Sequence, residues 1–108
     1  MKKMIPIAAA LCLILAAGTA HAAAGKFVRI GTSSVGGRFF LIGNTLAQLA
    51  QQKMPGTTFS AITGGSVKNC INIEKGEIEI GLAHASTITS AWEGSGAFKT
   101  PLTKLTYI

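Results

Sequence analysis

Glycine and hydroxyl residues gather at two points in this chain, Gly31-Thr32-Ser33-Ser34-Val35-Gly36-Gly37 and Thr63-Gly64-Gly65-Ser66. Each stretch lies where a strand-like apolar run hands over to a helix-like one. At such a junction the first N–H groups of the helix lack intrahelical partners and carry the positive end of its dipole. Glycine lets a ligand come close to that backbone. The chemistry this supports is the capture of an anion. In an open α/β sheet such loops lie at the carboxyl ends of the strands, and two of them facing one crevice form a ligand site at a switch point.

Rival chemistries fit the same residues less well. Gly31 and Gly36 open a G-x-x-x-x-G-K-[ST] pattern, but Gly37 and Arg38 stand where the phosphate lysine and the magnesium-binding hydroxyl belong. The dinucleotide fingerprint G-x-G-x-x-G fails because no glycine sits two positions after Gly31 and no acidic residue ends the second strand. No metal site is expected, since His84 is the one imidazole outside the leader and has no Cys or His at ligand spacing. His84 itself is a candidate for the rim of a pocket. Ser33, Ser34 and Ser66 have no obvious base, and Glu74, Glu77 and Glu79 cluster on a solvated turn with Glu93 alone. Binding accounts for the hydroxyls more economically than catalysis, and no cofactor is expected.

The elements that must position these loops follow from periodicity. Phe27, Val28 and Ile30 form a short strand ending at Gly31. Phe39, Ile42, Leu46, Leu49 and Ala50 recur at helical spacing until Pro55-Gly56. Thr57 to Thr63 reads as a second strand, and Ser66 is placed to cap a helix that carries Val67, Cys70, Ile71 and Glu74 on one face, with Gly76 as its stop. Ile78 to Ala83 alternates as a third strand, and Leu105 to Ile108 looks like a strand cut off mid-course. The layout is β-α-β-α-β, which implies right-handed crossovers and a mainly parallel sheet.

Before these elements, Lys2 and Lys3 precede an apolar run from Ile5 to Ala17 that ends in Ala20-His21-Ala22. This is the pattern of a secretory signal peptide, with cleavage expected after Ala22 or Ala24. The run is shorter than the roughly 20 apolar residues that span a bilayer. Cys12 lies inside the run, so it is not positioned to carry a lipid. Cys70 is then the single thiol, unable to form an internal disulfide, and it reads as a small buried hydrophobe. From Gly25 onward eight Lys and Arg residues stand against four Glu, a net charge of +4. These cations are scattered and do not alternate with aromatics, so nucleic acid is not expected as a partner. A small anionic ligand suits the charge. About 84 residues make one small, marginally stable domain.

Three motifs in order, Gly31-Thr32-Ser33-Ser34-Val35-Gly36-Gly37 with Phe39-Phe40 and Gly43, then Thr63-Gly64-Gly65-Ser66-Val67-Lys68-Asn69, then Gly81-Leu82-Ala83, resemble the TAXI family of TRAP-transporter substrate-binding proteins. Those are exported bacterial receptors whose two α/β lobes close on a ligand and deliver it to a membrane permease. The likeness covers Lys26 to Ile108. It implies a type II periplasmic-binding-protein fold, a periplasmic location, no catalysis and no cofactor. It also implies an organic anion such as a carboxylate or amino acid as ligand, and a TRAP membrane permease as partner, with no stable membrane insertion of the mature chain. Carried over by motif, Ser33, Ser34, Val35, Gly36, Gly37, Phe39 or Phe40, Thr63, Gly64, Gly65 and Ser66 face the ligand, with Asn69 as a further candidate.

Two departures qualify the resemblance. His84-Ala85-Ser86 stands where family members often show Gln-x-Asp, which removes an acidic acceptor, adds a titratable donor and favours a ligand without an amino group. The family's second lobe has no counterpart in this chain. The expected organisation is therefore a signal peptide at 1–24 and the N-terminal part of one solute-binding lobe at 25–108, binding weakly alone and exposing apolar surface that would meet a partner lobe. Two other readings stay open. One is a fragment of an exported α/β enzyme, which a base or metal cluster elsewhere would mark. The other is a non-binding remnant, which a molten spectrum would mark.

Overall fold

The protein is described here from a computed structural model covering residues 25–108. The expected signal peptide, with both cleavage points and Cys12, lies outside the described residues. Strand β1 (Lys26–Gly31) is followed by α1 (Arg38–Lys53), β2 (Thr57–Ile62), α2 (Ser66–Lys75), β3 (Ile80–Gly81) and α3 (Ala85–Glu93). All pairing is parallel and the strand order is β2-β1-β3. Pairing runs from Lys26 with Thr57 to Gly31 with Ile62 on one side of β1, and joins Ile30 to Ile80 and Gly31 to Gly81 on the other. This is the expected α/β arrangement, a small parallel sheet consistent with one lobe of a periplasmic-binding-protein-like fold.

Because β1 is central, the chain leaves it toward β2 and then crosses back to β3. Right-handed crossovers in opposite directions put α1 and α2 on opposite faces of the sheet. The larger share of the core lies with α2 and α3, where buried Cys70, Ala91 and Phe98 are joined by Ile71, Ala83, Ile88, Leu102 and Leu105. Burial pushes the Cys70 thiol above its ordinary range, in keeping with its reading as a small hydrophobe.

The face that α1 turns to the sheet differs from the one its apolar spacing predicts. Gly43 and Ala47 are its buried residues, whereas Leu41, Ile42, Leu46 and Leu49 are exposed. Close approach decides this: a Cβ at Gly43 would overlap the Thr32 Cγ2 methyl, so the helix can lie on the end of β1 only through its smallest side chains. Periodicity reports hydrophobicity and is blind to distance.

Two further expectations change at the sheet's edges. The third strand is only Ile80–Gly81 rather than Ile78 to Ala83. Upstream, the Glu79 carboxylate accepts the Arg29 N–H at 2.6 Å, taking a donor that a longer ladder would use, and Ile78 turns into the core. The final run Leu105 to Ile108 forms no strand. Just before it, Glu74 accepts the N–H groups of Thr103 and Lys104 at 3.1 and 2.8 Å, which holds the chain over α2 rather than beside the sheet. On the outer edge of β2 the Gln51 amide donates to Thr57 O at 2.8 Å and accepts from Phe59 N at 3.0 Å. It thereby mimics one residue of a neighbouring parallel strand and closes that stretch of edge. No helix among the described residues is long and apolar enough to cross a membrane.

Glu74 and Glu79 thus have structural partners beyond a solvated turn. The Arg29 guanidinium and N–H hold the Glu79 carboxyl at about 2, below its ordinary 4.5. A carboxyl depressed in the folded state contributes stability above its unfolded pKa and loses it as pH falls through the folded one. Glu79→Gln is expected to lower Tm by a few degrees near neutral pH, modestly because the pair is about two-fifths exposed. Thermal melts of parent and variant should converge as pH is lowered from about 4.5 to 2. A Tm difference independent of pH would remove the ion pair from the account.

Candidate functional site

All three helices start from loops at the carboxyl edge of the sheet, so the N-termini of α1, α2 and α3 gather there. The β1 loop is built by its own hydroxyls. Thr32 is fully buried and donates both its N–H and its Oγ1 to Ile62 O, at 2.8 and 2.9 Å, which stitches the end of β1 to the end of β2. Ser33 Oγ accepts the Phe40 N–H at 3.1 Å and caps α1 from outside the helix. Gly37 N–H donates to Ser34 O at 3.0 Å, closing a turn in which Gly36 takes φ 84°, a conformation that favours glycine. The N–H groups of Arg38 and Phe39 fall in the first turn, ahead of the intrahelical hydrogen bonds.

Behind these loops lies Asn69, almost wholly buried. Its Nδ2 donates to Thr32 O at 2.9 Å and to Leu82 O at 2.8 Å, tying the loop after β1 to the loop after β3. Its Oδ1 has no hydrogen-bond partner among the described residues. The reason for the neighbouring glycines is visible here. A Cβ on Gly31 would lie 2.5 Å from Oδ1, and one on Gly64 would overlap it, so both positions present Cα–H to that oxygen instead. Asn69 is thus buried behind the two loops it ties together.

The open space sits at the switch point, between the loop after β1 and the loop after β3. It is a cavity of about 410 Å³ lined by Ser33, Ser34, Gly37, Arg38, Phe39 and His84. The Phe39 and His84 rings meet with centroids 5.1 Å apart at an interplanar angle of 44°. His84 N–H donates to Ser66 Oγ at 3.0 Å, which leaves the Ser66 hydroxyl proton free for another acceptor. Ser66 is thus the first residue of α2 and an anchor for His84; the N-cap is Gly65, where a cap by Ser66 was expected. A larger hollow of about 650 Å³ runs along α1 and β2 past Asn44, Gln48, Gln51 and Phe59. It lies off the carboxyl edge and collects no helix N-terminus, so its size does not make it the site.

Of the residues expected to face a ligand, Ser33, Ser34, Gly37, Phe39 and His84 line the cavity. Val35 and Gly36 form the exposed tip of the loop, and Phe40 is half-buried one position along the helix. Thr63 is exposed and Gly64 is packed against Asn69, while Gly65 faces open space with nothing within 4 Å of a Cβ. Arg38 was missed by motif reading, yet the sequence carries a signal for it. A cation at the first helical position opposes the helix dipole, and such a placement makes physical sense beside an anion. Among the described residues no group of three or more His, Cys, Asp or Glu could hold a metal ion.

The lining offers a guanidinium, first-turn N–H groups and two rings, with no acid on it, and the Ser66 hydroxyl accepts the His84 N–H beside it. Such a lining is suited to holding a small anion against an apolar wall. The family model that matches this chain is that of the NMT1-like family, over residues 30–108.

Proposed function

The chain belongs to the NMT1-like family, a periplasmic-binding-protein-like family, and from that premise we propose that it is a solute-binding receptor of the TAXI type, which captures a small organic anion in the periplasm and hands it to a TRAP membrane permease. The observation that carries the reading is the cavity at the switch point, where the loops after β1 and β3 meet and Asn69 ties both to α2. Support for the TAXI type comes from the order of the three glycine-bearing motifs from Gly31 to Ala83. A carboxylate is the favoured ligand class, because Arg38 and the helix N-termini supply donors while no acidic side chain lines the cavity. Binding rather than catalysis is the assigned role, since no lining residue pairs a nucleophile with a base.

In this reading Ser34, Arg38, Phe39 and His84 form the binding wall, with Gly65 and Ser66 at the neighbouring start of α2. Ser33 and Gly37 line the same cavity and set the backbone of its loop, and Gly64 and Asn69 pack behind that loop. A thermal-shift screen of the full-length protein tests the assignment. Small carboxylates should raise Tm, and the matching alcohols and amines should not, because only a ligand that binds the folded state stabilises it. A Tm insensitive to every carboxylate up to millimolar concentration would contradict it.

A further inference from the structure

The cavity walls specify the shape of the anion as well as its charge. Arg38 sits at the first position of α1, where no acidic residue in the first turn offsets it. Among the described residues Arg29 and Glu79 form the one ion pair, so Arg38 has no carboxylate partner among them. A guanidinium is a planar fork that matches a carboxylate through two parallel hydrogen bonds. Next to it the Phe39 and His84 rings present a tilted pair of π faces at the cavity wall. A third flat ring extends such a pair in offset or edge-to-face geometry, which a puckered ring cannot do. The four glutamates do not reach this wall: Glu79 is held by Arg29, Glu74 by Thr103 and Lys104, and neither Glu77 nor Glu93 lines the cavity. An ammonium group entering here meets Arg38 and no acid.

We propose that the site selects a planar carboxylate without an amino group, an aromatic or conjugated acid whose carboxylate lies on Arg38 and whose flat body lies against the Phe39–His84 pair. The proposal rests on the receptor reading above and adds the specificity. Arg38 is the charge-selecting residue, and the ring pair selects planarity.

The test is an NMR titration of the full-length protein with benzoate, cyclohexanecarboxylate, L-phenylalanine, acetate and benzamide. Benzoate should bind about three- to tenfold more tightly than cyclohexanecarboxylate, the range expected of one aromatic contact. Its margin over L-phenylalanine and benzamide should be at least about tenfold, through the repelled ammonium and the lost charge. Arg38→Ala should weaken benzoate by about ten- to a hundredfold, and Phe39→Leu should abolish the preference for benzoate over cyclohexanecarboxylate. Equal affinity for benzoate, cyclohexanecarboxylate and L-phenylalanine, with carboxylate binding intact, overturns this inference alone. An absence of binding by every carboxylate overturns the receptor reading with it.

Discussion

Asn69→Asp is expected to cost the protein roughly 3 kcal/mol or more of folding stability, the penalty of an uncompensated buried charge. The side chain is almost wholly buried, and its Nδ2 donates to two carbonyl oxygens, those of Thr32 and Leu82. A carboxylate in that place would set a third oxygen against them. For a domain of this size such a loss lowers Tm by well over about 10 °C, enough to leave little of it folded at physiological temperature. The sharper version of the prediction is a coupling. Gly64→Ala should be strongly destabilising in the parent, because its Cβ would overlap Asn69 Oδ1. In an Asn69→Ala background the obstacle is gone and Thr32 O, at 3.3 Å, is the next atom met. The double-mutant cycle is therefore expected to show an interaction energy above about 1 kcal/mol in favour of the double variant. Additive effects in urea unfolding would mean that Gly64 is glycine for another reason.

Gly65→Asp should separate folding from binding. Gly65 is the N-cap of α2 in extended backbone, with nothing within 4 Å of a Cβ, so aspartate fits without strain and is itself a favoured N-cap residue. Stability is expected to hold or rise by a few tenths of a kcal/mol. The added negative charge, however, stands beside the helix N-terminus and Ser66, where the proposed anion is held. Carboxylate affinity should fall at least about tenfold, whereas Gly65→Asn, the same shape without the charge, should bind like the parent. Loss of affinity in both variants would point to shape rather than charge, and retention in both would move the site away from α2.

The alternation of strands with α1 and α2 was legible because these elements carry their own period and their own stop: Gly76 ends α2 in the left-handed conformation and Pro55-Gly56 follows α1, whereas the helix α3, which Gly94 ends, was not legible in its small, polar residues. The glycine loops and His84 were legible for the same local reason. The buried face of α1 was not, because Gly43 and Ala47 are chosen by how near Thr32 must come, a distance between residues eleven or more positions apart. The role of Asn69 was hidden likewise. Its partners are Thr32, Leu82 and the hydrogens of Gly31 and Gly64, none of which spacing along a helix can reveal. Arg38 could have been found, since a cation at a helix N-terminus is a local conflict that calls for an explanation.

The most direct test of the receptor reading is a ¹H–¹⁵N titration of the full-length protein with benzoate and with 2-oxoglutarate as a second carboxylate. Saturable shifts confined to the amides of Ser34 to Phe39, Gly65 to Lys68 and His84 to Thr87 are the predicted result, because the first group and His84 line or adjoin the cavity and the others are helix-start N–H groups at the same carboxyl edge of the sheet. Shifts centred instead on Asn44, Gln48 and Phe59 along the α1–β2 hollow, or no saturable shift with either acid, would contradict a solute site at the carboxyl edge of the sheet.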